Sequence, residues 1–191
     1  KKHFEVIQYA GNNENNRFIN ATSINDTTLK FKPDLLWIKR RTGGNMSWFI
    51  VDSSRSYTDS GGGNGNVGPL ASNENYVASN ALTDGGFVGF ENTGFKLGKG
   101  SSTSDAAAPY QRNNATGASY IAFMWKAGDS YSTNNDGTIA ASVSANPAAG
   151  FSICNYTSTT GTVGHGLNSA PKMILMKSLT GSADQWTLGH Y

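Results

Sequence analysis

Ala118-Ser119-Tyr120-Ile121-Ala122-Phe123-Met124-Trp125-Lys126 is the stretch on which the fold turns. Successive side chains of a strand point to opposite faces, so Tyr120, Ala122 and Met124 share one face and Ile121, Phe123 and Trp125 the other. Both faces are apolar. The pattern predicts a central strand buried on both sides, or one covered by a loop.

Shorter strands surround it. Phe4-Glu5-Val6-Ile7-Gln8-Tyr9 is rich in β-formers and ends at the turn composition Ala10-Gly11-Asn12-Asn13. Leu35-Leu36-Trp37-Ile38-Lys39 starts sharply after Pro33-Asp34, and Ser47-Trp48-Phe49-Ile50-Val51-Asp52 follows Gly43-Gly44-Asn45, so the two read as a hairpin. Gly86–Phe90 and Gly94–Leu97 flank a turn at Asn92-Thr93. Apolar residues do not recur at helical spacing over any useful window. Many short strands with Gly/Asn-rich turns predict an all-β fold: a β-sandwich, jelly-roll or concanavalin-like. The Gly/Asn-rich interval from Ser53 to Ala81 and the low-complexity stretch Ser101 to Ala108 read as surface loops.

Composition narrows the function classes. Of 191 residues only 15% are charged, 23 are glycine, and the formal net charge is +2. No basic patch argues for nucleic acid. No apolar run reaches the roughly 18 residues of a membrane-spanning helix. A single cysteine makes no internal disulfide. The start, Lys1-Lys2-His3, shows neither an initiator Met nor a signal-peptide pattern, which suggests a fragment or a processed chain. A surface hydrated by amides and hydroxyls is typical of extracellular and virion-surface β proteins.

The chain also resembles itself. Phe4–Tyr9 matches Phe151-Ser152-Ile153-Cys154-Asn155-Tyr156. At one constant offset, Pro33, Lys39, Thr42, Gly43 and Trp48 match Pro171, Lys177, Thr180, Gly181 and Trp186, and Leu35–Ile38 matches Met173–Met176. This divides the chain into a complete β unit at 1–128, a linker and connecting strand at 129–150, and the start of a second, related unit at 151–191. Half a sandwich does not bury its own apolar face. Either the polypeptide continues beyond Tyr191, or the partial unit docks on the first copy or on a neighbouring chain.

Several phrases resemble those of virion proteins of tailed phages, marine ones especially: Phe31–Lys39, Trp48–Asp52 with Arg55, Gly94–Gly98, Tyr120–Gly128, Val163–Leu167 and Ala170–Ile174. The order of the phrases is similar across most of the chain. The Gly/Asn-rich loop from Ser60 to Gly68 and the early stop of the second unit depart from the pattern. The resemblance implies a structural, tail-fibre-like virion protein located at the virion surface. Its partners would be other copies of itself, other virion proteins and host surface glycans. It implies no catalytic residues.

The residues themselves offer few sites. Nothing resembles a nucleophile elbow, a metalloprotease helix or a phosphate loop, so no enzyme is expected. Asp52, Asp59, Asp84 and Glu91 are the carboxylates from which a glycosidase pair would have to come. His165, between two glycines, reads as a turn residue, and Cys154 as a small core residue. Asp129, Asn134 and Asp136 carry hard oxygen donors, making calcium the one candidate cofactor, although a solvated interdomain turn explains them as simply. Glycan or partner contact is assigned to Tyr57, Tyr76 and Tyr110, which lie among Ser, Asn and Gly, and to a small basic cluster near a turn that Arg40 and Arg41, after Lys39, form with Arg55. Trp37, Trp48, Trp125 and Trp186 sit in strand phrases and are expected in the core. Asn-x-Ser/Thr sequons start at Asn20, Asn25, Asn45, Asn114 and Asn155. The function expected is that of a non-enzymatic virion structural protein, with a carbohydrate-binding module as the alternative.

Overall fold

The computed structural model describes residues 3–20, 31–55, 70–72, 86–100, 109–157, 160–180 and 185–191. The stretch that decides the fold forms strand β7 (Ser119–Trp125), which pairs antiparallel with β1 (Phe4–Ala10) on one side and β3 (Leu35–Arg40) on the other. β4 (Phe49–Asp52) completes a four-stranded sheet of order β1-β7-β3-β4. β2 (Arg17–Asn20), β6 (Gly94–Leu97) and β5 (Phe87–Glu91) form a second antiparallel sheet of order β2-β6-β5. The expected hairpins are present. Gly43 and Gly44 have φ of 85° and 120° between β3 and β4, a conformation that L side chains resist.

The two sheets face each other as an all-β sandwich. Ile7 and Tyr9 of β1, Tyr120, Ala122 and Met124 of β7, and Leu36 and Ile38 of β3 bury against Ile19, Phe87, Phe95 and Leu97 of the other sheet. Gly94 allows the second sheet to close, because a Cβ there would collide with the Ile19 carbonyl. Tyr9 stacks on its cross-strand partner Tyr120 at 5.2 Å and meets Phe95 edge-on at 6.0 Å. The one helical turn among the described residues, α1 (Pro109–Asn113), closes the end of the sandwich. The Tyr9 hydroxyl donates to the Asn113 carbonyl (2.7 Å), and that of Tyr120 donates to the Gln111 carbonyl (3.0 Å) while accepting from Ala115 N–H (2.8 Å). These bonds satisfy carbonyls that a helix end leaves open. Burial pushes the Tyr9 phenol well above its ordinary pKa, so it stays a donor.

Asn114 is wholly buried. Its carboxamide oxygen accepts from Arg17 Nη1 (2.9 Å), and its nitrogen donates to the carbonyls of Glu14 (3.1 Å) and Gly98 (3.3 Å). The sequon at this position is therefore closed to modification in the folded protein.

Residues 129–150 are more structured than a linker with one connecting strand. They hold β8 (Ser132–Asn134) and β9 (Ala141–Asn146), which join β10 (Phe151–Asn155) in a sheet of order β10-β9-β8. This sheet docks on the first unit. Phe151 stacks over Trp125 at 6.4 Å, Gly128 N–H donates to Ser144 Oγ (2.9 Å), and Asn146 Nδ2 lies 3.0 Å from His3 Nδ1. Beyond it, β11 (Met173–Met176) and β12 (Thr187–His190) make a separate hairpin, and Trp186 Nε1 donates to the Ala71 carbonyl (2.8 Å).

The hairpins give the internal repeat a structural form. β3 and β4 pair Leu35 with Asp52, Leu36 with Val51, Trp37 with Ile50 and Ile38 with Phe49. β11 and β12 pair Met173 with His190, Ile174 with Gly189, Leu175 with Leu188 and Met176 with Thr187. Every pair of the second hairpin is a pair of the first, moved by the offset that relates the sequence matches.

Candidate functional site

The outer face of the four-stranded sheet concentrates the aromatic and cationic side chains. Register sets it out in rows: Phe4, Trp125 and Leu35 lie side by side, then Val6, Phe123, Trp37 and Ile50, then Gln8, Ile121 and Lys39. Trp37 lies edge-on to Trp48 at 5.4 Å and 6.3 Å from Trp125, while Phe123 stacks on Trp125 at 6.3 Å. Lys39 Nζ sits 5.7 Å from the Trp48 ring centroid, within cation–π range, and donates to the Met46 carbonyl. This corrects the expectation of core tryptophans: all four are half-buried, and none belongs to the buried core. The strand period explains it. Trp37 and Trp125 alternate with Leu36, Ile38 and Met124, which fill the inner face. Trp37 Nε1 is nonetheless buried without a partner, a desolvation cost of about 1–3 kcal/mol.

The three arginines do not form one cluster. Arg40 Nη1 donates to Gln111 Oε1 (2.7 Å) and its Nε to the Thr42 carbonyl (2.9 Å), while Arg41 Nη1 donates to Gln8 Oε1 (2.6 Å). Both have neutral partners at the α1 end of the sheet. Arg55 lies at the opposite end, beside Asp52, which is paired with Leu35. There it makes a largely buried ion pair with Asp52 (2.8 Å) and donates to the Ile50 carbonyl (3.1 Å). Its charge is committed to holding β4. Tyr57 and Tyr76 lie outside the described residues, as do Asp59 and Asp84. Tyr110 falls in α1, and its side chain is outside those described.

The remaining candidates are engaged locally. Asp129 pairs with Lys126 Nζ (2.6 Å), which holds its carboxyl below the usual range. Asn134 Nδ2 donates to Asp136 Oδ2 (2.9 Å), and Asp136 N–H donates back to Asn134 Oδ1 (3.0 Å). No group of three or more His, Cys, Asp or Glu side chains suited to a metal occurs among the described residues. Glu91 pairs with Lys96 in the smaller sheet, away from the sheet that carries Asp52. Cys154 is half-buried, and burial pushes its thiol pKa up, away from a reactive thiolate. His165 Nδ1 accepts from Leu167 N–H (3.2 Å) in a tight turn.

One constellation escaped the sequence. Asp34 is buried, and its carboxylate accepts from Ser53 Oγ (2.9 Å) and Ala127 N–H (2.9 Å). Ser53 Oγ also meets the Tyr131 hydroxyl (2.9 Å). Burial raises the pKa of both Asp34 and Tyr131. With the Asp34 N–H on the Trp125 carbonyl and the Ser53 N–H on the Asp34 carbonyl, the group fastens β3, β4, β7 and the segment leading into β8 at one point. Only the Pro33-Asp34 strand start hinted at it, since its members lie far apart in sequence.

The family described as "Domain of unknown function (DUF7483)" matches residues 1–191. The chain belongs to this family. No curated protein and no solved structure matches the DUF7483 chain. No helix among the described residues is long and apolar enough to cross a membrane.

Proposed function

We propose that this DUF7483 chain is a non-enzymatic structural protein of a virion, part of a phage fibre, appendage or capsid-surface decoration. Its role is to present packed β units for particle assembly or host attachment. The observation that carries the assembly role is the β11–β12 hairpin. It repeats the register of β3–β4 yet leaves Met173, Ile174, Leu175, Met176 and Leu188 exposed, an apolar surface that calls for a neighbour. The virion location is supported by the phrases around Trp37, Trp48 and Trp125 that resemble tailed-phage structural proteins. Light scattering after size-exclusion chromatography of residues 1–191 tests the assembly role, with a compact trimer or larger species expected. Immunogold labelling of particles that carry the chain tests the location, and label confined to the infected-cell lysate would refute it.

The outer aromatic face favours a second reading, a carbohydrate-binding module. Half-exposed Trp48 beside Lys39, with the amide of Gln8 and the guanidinium of Arg41 nearby, provides stacking and hydroxyl-reading groups. That reading requires binding on a glycan array by a monomer, with loss on Trp48→Ala.

A further inference from the structure

The repeat supplies its own template for what covers the second hairpin. In the first unit β3 is an inner strand, with β4 on one edge and β7 on the other. Its counterpart β11 pairs with β12 alone among the described residues. The exposures follow. Leu36 and Ile38 are 0% exposed beneath the sandwich, whereas Ile174 and Met176 at the matching positions are 38% and 41% exposed. The charge pattern also fits, since β11 (Met-Ile-Leu-Met) and β7 (Ser-Tyr-Ile-Ala-Phe-Met-Trp) are both uncharged.

We infer that the β11–β12 hairpin is a strand acceptor. The edge of β11 that is unpaired among the described residues takes an extended, uncharged segment with the alternation of β7, by antiparallel strand addition. The β3–β7 ladder pairs Leu35 with Trp125 and Trp37 with Phe123. The same register sets Met173 against the position equivalent to Trp125 and Leu175 against that of Phe123. β11 carries apolar residues on both faces and no charge or proline within its four residues, while Pro171-Lys172 and Lys177 bound the stretch open to pairing. This names the partner in the assembly role proposed above and rests on that role. Its test, though, reads peptide uptake instead of chain self-association or particle location.

The probe is a labelled peptide with the sequence of residues 117–127, extended by solubilising lysines, titrated into the full chain while anisotropy is followed. Saturable binding is expected. Leu175→Lys and Ile174→Lys each weaken it by about tenfold or more, equivalent to roughly 1.4 kcal/mol. Phe18→Lys, at an exposed apolar residue of the other sheet, leaves it unchanged. Circular dichroism melts confirm that the variants keep the sandwich. Absence of saturable binding overturns the inference, as does equal binding of a scrambled peptide that breaks the alternation. Self-association that Leu175→Lys dissolves, without peptide uptake, also overturns it and makes a second copy the occupant.

Discussion

The hairpins β3–β4 and β11–β12 share a register and differ in almost everything that register normally brings. The first lies inside a four-stranded sheet over a filled core. The second stands with both faces of β11 toward solvent. Local sequence is enough to pair two strands with a Gly-containing turn, but burial comes from strands supplied elsewhere. β7, which covers β3, begins 79 positions after the end of β3 in the chain order, and no local signal in Leu35–Arg40 announces it. Pairing is thus a local property here, and stability a non-local one.

The largest expected effect separates the hairpins directly. Leu36→Ala should lower the unfolding free energy by about 2–5 kcal/mol in urea titration, the cost of deleting a fully buried side chain. Phe151→Ala comes next. It removes the ring stacked on Trp125, and a loss of about 1 kcal/mol is expected, with faster amide exchange in β9 and β10 and little change in β3. Trp186→Ala removes the hydrogen bond to Ala71, worth about 1 kcal/mol at most. It should speed exchange at 187–190 but not at 49–52.

Asp34 sharpens the contrast through pH. Lys172 stands at the matching place in the repeat, so only the first hairpin carries this buried carboxyl. Burial raises its folded-state pKa, against weaker lowering by Ser53, Ala127 and nearby lysines. The folded chain therefore holds the proton to higher pH than the unfolded chain. The resulting stabilisation is full below the ordinary carboxylate range and is lost as pH rises through the raised folded value. Asp34→Asn should flatten this part of the stability profile, measured by urea midpoints across mildly acidic to neutral pH. An unchanged profile would show that the carboxyl does not titrate differently on folding. The smallest effect is at the other hairpin, where Ile174→Ala should move stability by no more than about 0.5 kcal/mol. A loss as large as that of Leu36→Ala would mean that the second hairpin is already covered in the free chain.

The strands were legible because alternation, proline starts and glycine turns are local. Tyr120–Trp125 announced a central strand with two apolar faces, and the structure gives each face its cover: the sandwich core on one side, and on the other, in part, Phe151 of the second unit. The tryptophans were misplaced because alternation reveals which residues share a face, not which face looks inward. Their place in strand phrases suggested the core, while Leu36, Ile38, Ala122 and Met124 took the space between the sheets. The separation of Arg55 from Arg40 and Arg41 was equally hidden. A hairpin carries its two ends to opposite margins of the sheet only once its register is known. The Asp34–Ser53–Tyr131 group had no spacing to betray it, since three non-adjacent segments meet there.

The closed pocket around Asn114 sets a race between folding and chemistry in one particular setting. Oligosaccharyl transfer acts on a chain entering a secretory compartment, before the carboxamide has found Arg17, Glu14 and Gly98. A glycan attached there would leave no room for the wholly buried side chain to return to its place. Among the five sequons, Asn114 is thus one where modification before folding would exclude the native packing, and Asn114→Gln would not restore it, because the longer amide overfills the same niche.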